Sequence, residues 1–378
     1  MSFSNYRVQF PFLANKIYLN HAAVSPLSSD VREKINWVLN ERGFGDLNFF
    51  EEMLKLTETT RTLVSRLINA PAANIAFTQN TSEGFNWLAQ GLAWKTGDQI
   101  VVPDVEFPAN VYPFLNLEKK GVKVVFVKNR NGLIHIDDIE AAITPHTKLI
   151  SISFVEFLSG QRNDLLAISA LCKKHDILFS VDAIQGLGAI PINVETLHID
   201  FLSSGGHKWL MAPRGVGFMY VSPRLMDQLD PVFSGWMAVE NAWDFFDYNL
   251  KPLADAKRFE YGTSNLLGIC GLSASLENLL HIGVHSIEQH LLILGQMLVD
   301  KLGEAGMTFI GPTDPYFWSG IYTFRHKHSE DIYKMLESKN VICSMRDGAL
   351  RFSPHFYNNR DDISEVTGLI TRWLAAHA

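Results

Sequence analysis

Short apolar runs, polar breaks and stretches of helical spacing alternate along most of this chain. Ile75 to Phe77, Ile100 to Val102, Val122 to Val127, Leu149 to Ser153, Ile177 to Val181, Ile199 to Ser203 and Val216 to Val221 are too short for helices. They are rich in β-forming residues and read as strands. Between them the apolar positions fall at helical spacing. Ser28 or Ser29 caps a helix through Trp37 and Leu39 that Gly43 stops. Phe49 to Ile68 carries Phe50, Met53, Leu54, Leu63, Val64 and Leu67 on one stripe and ends near Asn69 and Pro71. Further helices are predicted after Glu83 through Leu88, over Ile136 to Ile143 before Pro145, and over Leu165 to His175. From Leu276 the pattern changes. Helical stretches at Leu276 to Ile287 and Leu291 to Leu302 precede strand-like Gly320 to Phe324 and Val341 to Ser344, with a helix between them. This predicts a small α+β unit at the C-terminal end.

Composition narrows the class. At 378 residues, 47% hydrophobic and 19% charged, the chain suits a soluble protein with one large domain and a smaller one. A formal charge of −7 and a pI near 6.0 give no footprint for nucleic acid or an anionic membrane. Cys172, Cys270 and Cys343 are odd in number and scattered, which argues against a disulfide framework or a metal site and fits a reducing compartment. Met1 to Asn15 lacks a secretory pattern, and no apolar run approaches the length of a membrane span, so a cytoplasmic location is expected.

The chemistry gathers at two strand ends. One strand runs into Ser203, Ser204, Gly205, Gly206, His207, Lys208 and Trp209; the strand before it ends in Asp182, with Gln185 three residues on. Lysine can form a Schiff base with an aldehyde once its amine sheds a proton. A lysine and a carboxylate at one sheet edge point to pyridoxal phosphate, whose aldehyde needs an amine and whose ring nitrogen needs an acid. Asn80, Thr81 and Ser82 follow a strand and start a helix. Backbone N–H groups, hydroxyls and the positive helix end make an anion site there, although a plain helix cap would look the same.

The order strand-Asp-x-x-Gln, short strand, Gly-His-Lys resembles the class V aminotransferase family of fold-type I pyridoxal-phosphate enzymes. That family includes cysteine desulfurases, selenocysteine lyases, kynureninases and isopenicillin N epimerase-like proteins. The resemblance runs from Tyr18 to about Tyr357. It implies an α/β fold: a large domain over 18–265 with a mixed, mostly parallel sheet, and a small α+β domain built from 1–17 and 266–378. It also implies the roles of the residues. Lys208 is the Schiff-base lysine and the base for the α-proton, and Asp182 keeps the ring nitrogen protonated. Thr81, Ser82 and His207 lie at the phosphate, Phe107 stacks on the ring, and Gln185 reaches the ring hydroxyl. Relatives carry a serine where Gly205 stands, and Ser204 is the expected substitute. Thr263 reaches the phosphate of the partner subunit's cofactor, which implies a homodimer. His21, Ala22 and Trp236 are implied at the substrate pocket, and Arg351 as the fork for the substrate α-carboxylate.

The substrate class so implied is a small amino acid or a derivative. Transamination is the nominal reaction, with a lyase or epimerase as alternative and a non-catalytic scaffold as a second. A desulfurase needs a reactive thiol on a mobile loop, whereas Cys343 falls in an apolar, strand-like run. Relatives of the kynureninase type carry a tyrosine where His207 stands. Phe157 occupies a position where many relatives place an asparagine.

Overall fold

The computed structural model describes residues 3–45, 47 and 49–377. Residues 1, 2 and 378, which the sequence assigns to the smaller domain, lie outside the described residues. Seven strands form the main sheet, in the spatial order Ile75–Thr78, Gly217–Val221, Phe201–Gly205, Leu178–Asp182, Thr147–Ser153, Gln99–Pro103 and Lys123–Val127. Gly217–Val221 runs antiparallel to both neighbours, and the other adjacent pairs are parallel. The sheet is therefore mixed and mostly parallel, as the resemblance implied. Separate apolar clusters, one around Val181 and Leu202 and one around Phe201 and Leu178, cover its two faces. Strands buried on both sides have no solvent face to alternate with, which is why their sequences read as unbroken apolar runs.

A second, four-stranded antiparallel sheet has the order Ser344–Arg346, Ala349–Phe352, Tyr322–Arg325 and Thr308–Phe309. Helices Val284–Glu304, Ser329–Ser338 and Arg360–Ala376 share its core of Leu294, Tyr322, Phe324, Ile332 and Ile363. The N-terminal segment packs on these elements. Ile17–Tyr18 pairs in parallel with Val341–Ile342, and Arg7 bridges Asp362 at 2.7 Å. Among the described residues no single helix is long and apolar enough to cross a membrane.

Most strand and helix ends shift by one or two residues from the sequence reading, and three departures have a clear physical cause. The first helix runs past Gly43 to Phe44 and is capped at Gly45. The C-terminal helices are Leu266–Ile282 and Val284–Glu304, broken at Gly283, whose φ of 86° a glycine adopts freely. The first of them starts ten residues before its apolar signal, because Asn265 caps it and Gly268 and Gly271 let it approach Val216 and Pro213 closely. Val341 to Ser344 is not one strand. Val341–Ile342 joins Ile17–Tyr18, Ser344–Arg346 joins the second sheet, and Cys343 sits at the crossing.

Gly295 faces the buried ring of Tyr322, whose hydroxyl donates to the Leu291 carbonyl at 3.1 Å. A methyl at 295 would overlap that ring. Gly295→Ala is expected to cost about 1–3 kcal/mol through overpacking, despite alanine's better helix propensity. Urea denaturation measures this, and an unchanged midpoint would show that the helix can move aside.

Candidate active site

Asp182 is the last residue of its strand, and its cross-strand neighbours are Ser153 and Ser203. Its Oδ1 accepts from the Ile184 N–H at 3.0 Å. Burial raises this acid to about 6, while the Ile184 N–H and the charge of Lys208 oppose the rise. Lys208 follows the next strand by three residues and is only 9% exposed. Burial lowers its amine to about 8. Asp182 works against that shift, and Arg351 and Arg346 add to it. The Nζ stands 5.4 Å from the centre of the Phe107 ring.

The helix Thr81–Gly91 is tied to the lysine-bearing strand at its first turn. Gly205 N–H donates to Thr81 Oγ1 at 2.9 Å, and Ser203 Oγ donates to the Thr81 carbonyl at 3.1 Å. The result is a cleft of about 320 Å³ at the carboxyl ends of the parallel strands, where open α/β sheets place ligands. Ala22, Thr81, Ser82, Phe107, Asp182, Gln185, His207, Lys208 and Arg351 all line it. Arg351 reaches it from the second sheet, with Nη1 donating to the Phe157 carbonyl at 2.6 Å and Nε to Ser344 Oγ at 3.3 Å. Burial lowers its guanidinium to about 10.

Four expected residues lie elsewhere. Ser204 points away, because strand side chains alternate and Gly205 takes the cleft side. A Cβ on Gly205 would stand 3.3 Å from both Thr81 Oγ1 and His207 Nδ1, whereas Ser204 Oγ turns to the Gly205 carbonyl at 3.3 Å. Ser204 therefore does not replace the missing serine. His21 is buried outside the cleft lining, with Nδ1 3.1 Å from the Tyr357 hydroxyl and its ring 4.1 Å from that of His355. Burial first, then His355, holds it well below the usual histidine range. Its neighbour Ala22 does face the cleft, and the Ala22 carbonyl accepts from Gln185 Nε2 at 3.1 Å. Gln185 Oε1 accepts from Trp209 Nε1 at 2.9 Å, so this amide is committed at both ends to the cleft floor. Thr263 lines a separate groove of about 390 Å³ with Thr78, Gln79 and Glu83. Trp236, 41% exposed, packs against Trp243 and Phe245 in another depression.

Sequence reasoning missed three charged residues. Glu106 is buried beside the Asp182 strand, accepting from Ser153 N–H at 2.5 Å, with Oε2 2.6 Å from Ser153 Oγ. Glu156 accepts from Asn163 Nδ2 at 2.8 Å. Burial raises both acids, and the charges of the cluster with Asp182 raise them further. Each follows a strand end by three residues and precedes a cleft-lining phenylalanine, Phe107 or Phe157, and that spacing was the available signal. The third is Arg346, at the cleft beside Arg351. Its signal was Asp347-Gly348, a two-residue hairpin turn that places Arg346 opposite Ala349. Cys343, in contrast, is 3% exposed, absent from the cleft lining, and its thiol is pushed up to about 12 by burial. Among the described residues no group of three or more His, Cys, Asp or Glu side chains is placed to hold a metal ion.

Comparison with known proteins agrees with this geometry. The family model for aminotransferase class-V matches residues 17–366. The chain is 29% identical to a probable cysteine desulfurase of Methanothermobacter thermautotrophicus, over 94% of each chain. It is 31% identical to an uncharacterised aminotransferase of Schizosaccharomyces pombe, over 97% of this chain and 95% of that one. An apo cysteine desulfurase from Thermococcus onnurineus NA1 has the same fold, with a TM-score of 0.91, 26% identity and 98% of both chains covered. With its mixed seven-stranded sheet, its lysine and aspartate at adjacent strand ends and a family match over nearly the whole length, this chain belongs to the aminotransferase class-V family of fold-type I enzymes.

Proposed function

We propose that this enzyme is a lyase of small amino acids that works without a thiol relay. Enzymes of its family use pyridoxal 5′-phosphate, and the cleft residues fit that cofactor. Lys208 would hold its aldehyde, Asp182 its ring nitrogen, Phe107 a ring face, and Thr81, Ser82 and His207 its phosphate. When bound, the cofactor supplies an electron sink beside the substrate α-carbon.

The single observation that carries the reading is the Cys343 thiol, 3% exposed and absent from the lining of the cleft that holds Lys208. Burial lowers the Lys208 amine to about 8, which leaves a working fraction neutral near physiological pH and able to take a proton. His207 has no comparable reserve. Burial lowers its imidazole to about 4, with Lys208 and Arg214 adding to the effect, so it offers no acid proton at neutral pH. Arg351 presents a planar fork suited to a carboxylate, and its donations to the Phe157 carbonyl and to Ser344 Oγ orient it. Relatives named as cysteine desulfurases support chemistry at the β-substituent. The burial of Cys343 supports loss of that substituent without a protein persulfide.

Transamination is the second reading, and one observation favours it. Lys208 is 9% exposed, with its Nζ 5.4 Å from the Phe107 ring, so a proton it takes can be returned within the site. Two further features support a homodimer. Thr263 faces a groove outside its own chain's cleft, and exposed Phe233, Trp236, Trp243, Phe245, Phe246 and Tyr248 crowd one segment.

Product analysis tests the reading. The cofactor-loaded protein, given a panel of amino acids without a keto-acid acceptor, is expected to release ammonia and keto acid in equal amounts. The rate should rise as pH is raised, because Lys208 must be neutral both to hold the aldehyde and to take a proton, and burial already lowers its amine. Amino transfer to an added keto acid with no free ammonia would replace this reading with transamination.

A further inference from the structure

The second sheet delivers two guanidinium groups to the cleft. Ser344 is the cross-strand partner of Arg351, and Arg346 that of Ala349. Residues two apart on a strand share a face, so Arg346, Ser344, Ala349 and Arg351 all lie on one side. The register is held by Asp347 and Gly348, whose φ values of 48° and 69° are those of a tight hairpin turn. Both arginines line the cleft with Lys208, and Arg346 is near enough for its charge to act on both Arg351 and Lys208.

Neither guanidinium pairs with an acid among the described residues. Arg346 donates to the Met345 carbonyl at 2.7 Å, and Arg351 to Phe157 and Ser344. Asp347, the acid next to Arg346, is held by Arg325 at 3.0 Å. Among the described residues Asp182 is the only acid lining the cleft, against three cationic side chains, Lys208, Arg346 and Arg351. Like charges gathered at a partly desolvated site oppose one another until an anion enters. A substrate α-carboxylate occupies one fork, and a neutral amino acid leaves the other without a counter-charge.

We propose that Arg346 is a specificity residue, and that the substrate is an α-amino acid whose side chain ends in a second carboxylate. Arg351 takes the α-carboxylate and Arg346, at the exposed rim, takes the side-chain one. This rests on the reading of the Lys208 cleft as the amino-acid site.

The test is an absorbance titration of the cofactor-loaded protein with L-aspartate, L-asparagine, L-glutamate, L-glutamine and L-alanine. Wild type is expected to bind each acid about tenfold or more tightly than its amide, with the preference shrinking as salt is raised. In Arg346→Gln the acid-over-amide ratio should fall to near one, and Arg346→Lys should restore part of it. Equal binding of acids and amides by wild type overturns the proposal. So does an Arg346→Gln variant that weakens alanine as much as aspartate, since that marks a structural role. If no amino acid of any kind perturbs the bound cofactor, the amino-acid site itself is refuted. If neutral amino acids perturb it without an acid preference, only the role of Arg346 falls.

Discussion

Lys208→Ala protein is expected to lose its covalent hold on the cofactor, and its turnover should fall by about 10³-fold or more. The size of the effect follows from the two tasks proposed for one amine. At 9% exposure the Lys208 ammonium has little water around it, and burial drops it to about 8. Near pH 7 roughly a tenth of the molecules carry the neutral amine, against roughly one in several thousand for an ordinary lysine. Alanine removes both the attachment point and the proton carrier and leaves the strand end in place, because Gly205 and Ser203 still bond to Thr81. The variant should therefore fold, bind the cofactor reversibly, and give no visible band that survives gel filtration. Added small primary amines should recover part of the rate. A variant that keeps both the band and more than a tenth of wild-type turnover would refute the assignment of Lys208.

The largest stability effect is expected at Arg61, far from the chemistry. Arg61, 2% exposed on the helix Phe50–Ile68, meets Glu260 at 2.6 Å and 3.1 Å and donates to the Ile75 carbonyl at 2.8 Å. Glu260 in turn accepts the Phe77 N–H at 2.7 Å, a donor that faces away from the sheet on an edge strand. The ion pair thus finishes the hydrogen bonding of that edge. Arg61→Ala leaves the Glu260 carboxylate without its buried cation and is expected to cost about 3–5 kcal/mol. A chemical-denaturation midpoint measures it. Arg61→Met combined with Glu260→Leu should regain much of the loss, since both charges then go together. A loss below about 1 kcal/mol for the single variant would mean that the pair is solvated and contributes little. The edge strand leads directly into Asn80 and Thr81, so the same change should also weaken cofactor binding.

Lys208 and Asp182 were read just past and at the ends of apolar strands and Thr81 at a helix start, and the fold brings the three into one cleft; Arg351 was named only through the family resemblance, since its strand was not read. Most of the seven strands were legible because burial on both faces leaves unbroken apolar runs; the edge strand Lys123–Val127, buried only at Val127, was legible through its β-branched valines. The errors have physical causes. Placing Ser204 at the phosphate ignored the two-residue alternation that hands that side of the strand to Gly205. His21 adjoins a cleft residue in sequence and still turns into the core, because its ring nitrogen is taken up by Tyr357. Arg346 and Glu106 escaped notice because their positions depend on pairing with segments distant in sequence. Arg346 gains its place from a cross-strand register, and Glu106 from a bond to Ser153, 47 residues away. The early start of Leu266–Ile282 escaped because small residues, not large apolar ones, form its contact face.

The loop that carries the lysine is pinned at successive points. Gly206 N–H bonds to the Val216 carbonyl at 2.8 Å, the His207 carbonyl accepts from Ser25 N–H at 2.9 Å, and Met211 N–H bonds to the Lys208 carbonyl at 3.0 Å. The indole of Trp209 is locked to Gln185. Lys208 is thus a lever on a fixed pivot: its backbone is a bearing, and the four-carbon stem is the only moving arm. The tip sweeps a small arc of a few rotamers, so in the roles proposed for it a switch from holding the cofactor to carrying a proton would fall to side-chain torsions. Such a device needs no loop to open or refold between strokes, so the search for each new position is over a handful of staggered wells and not over chain conformations.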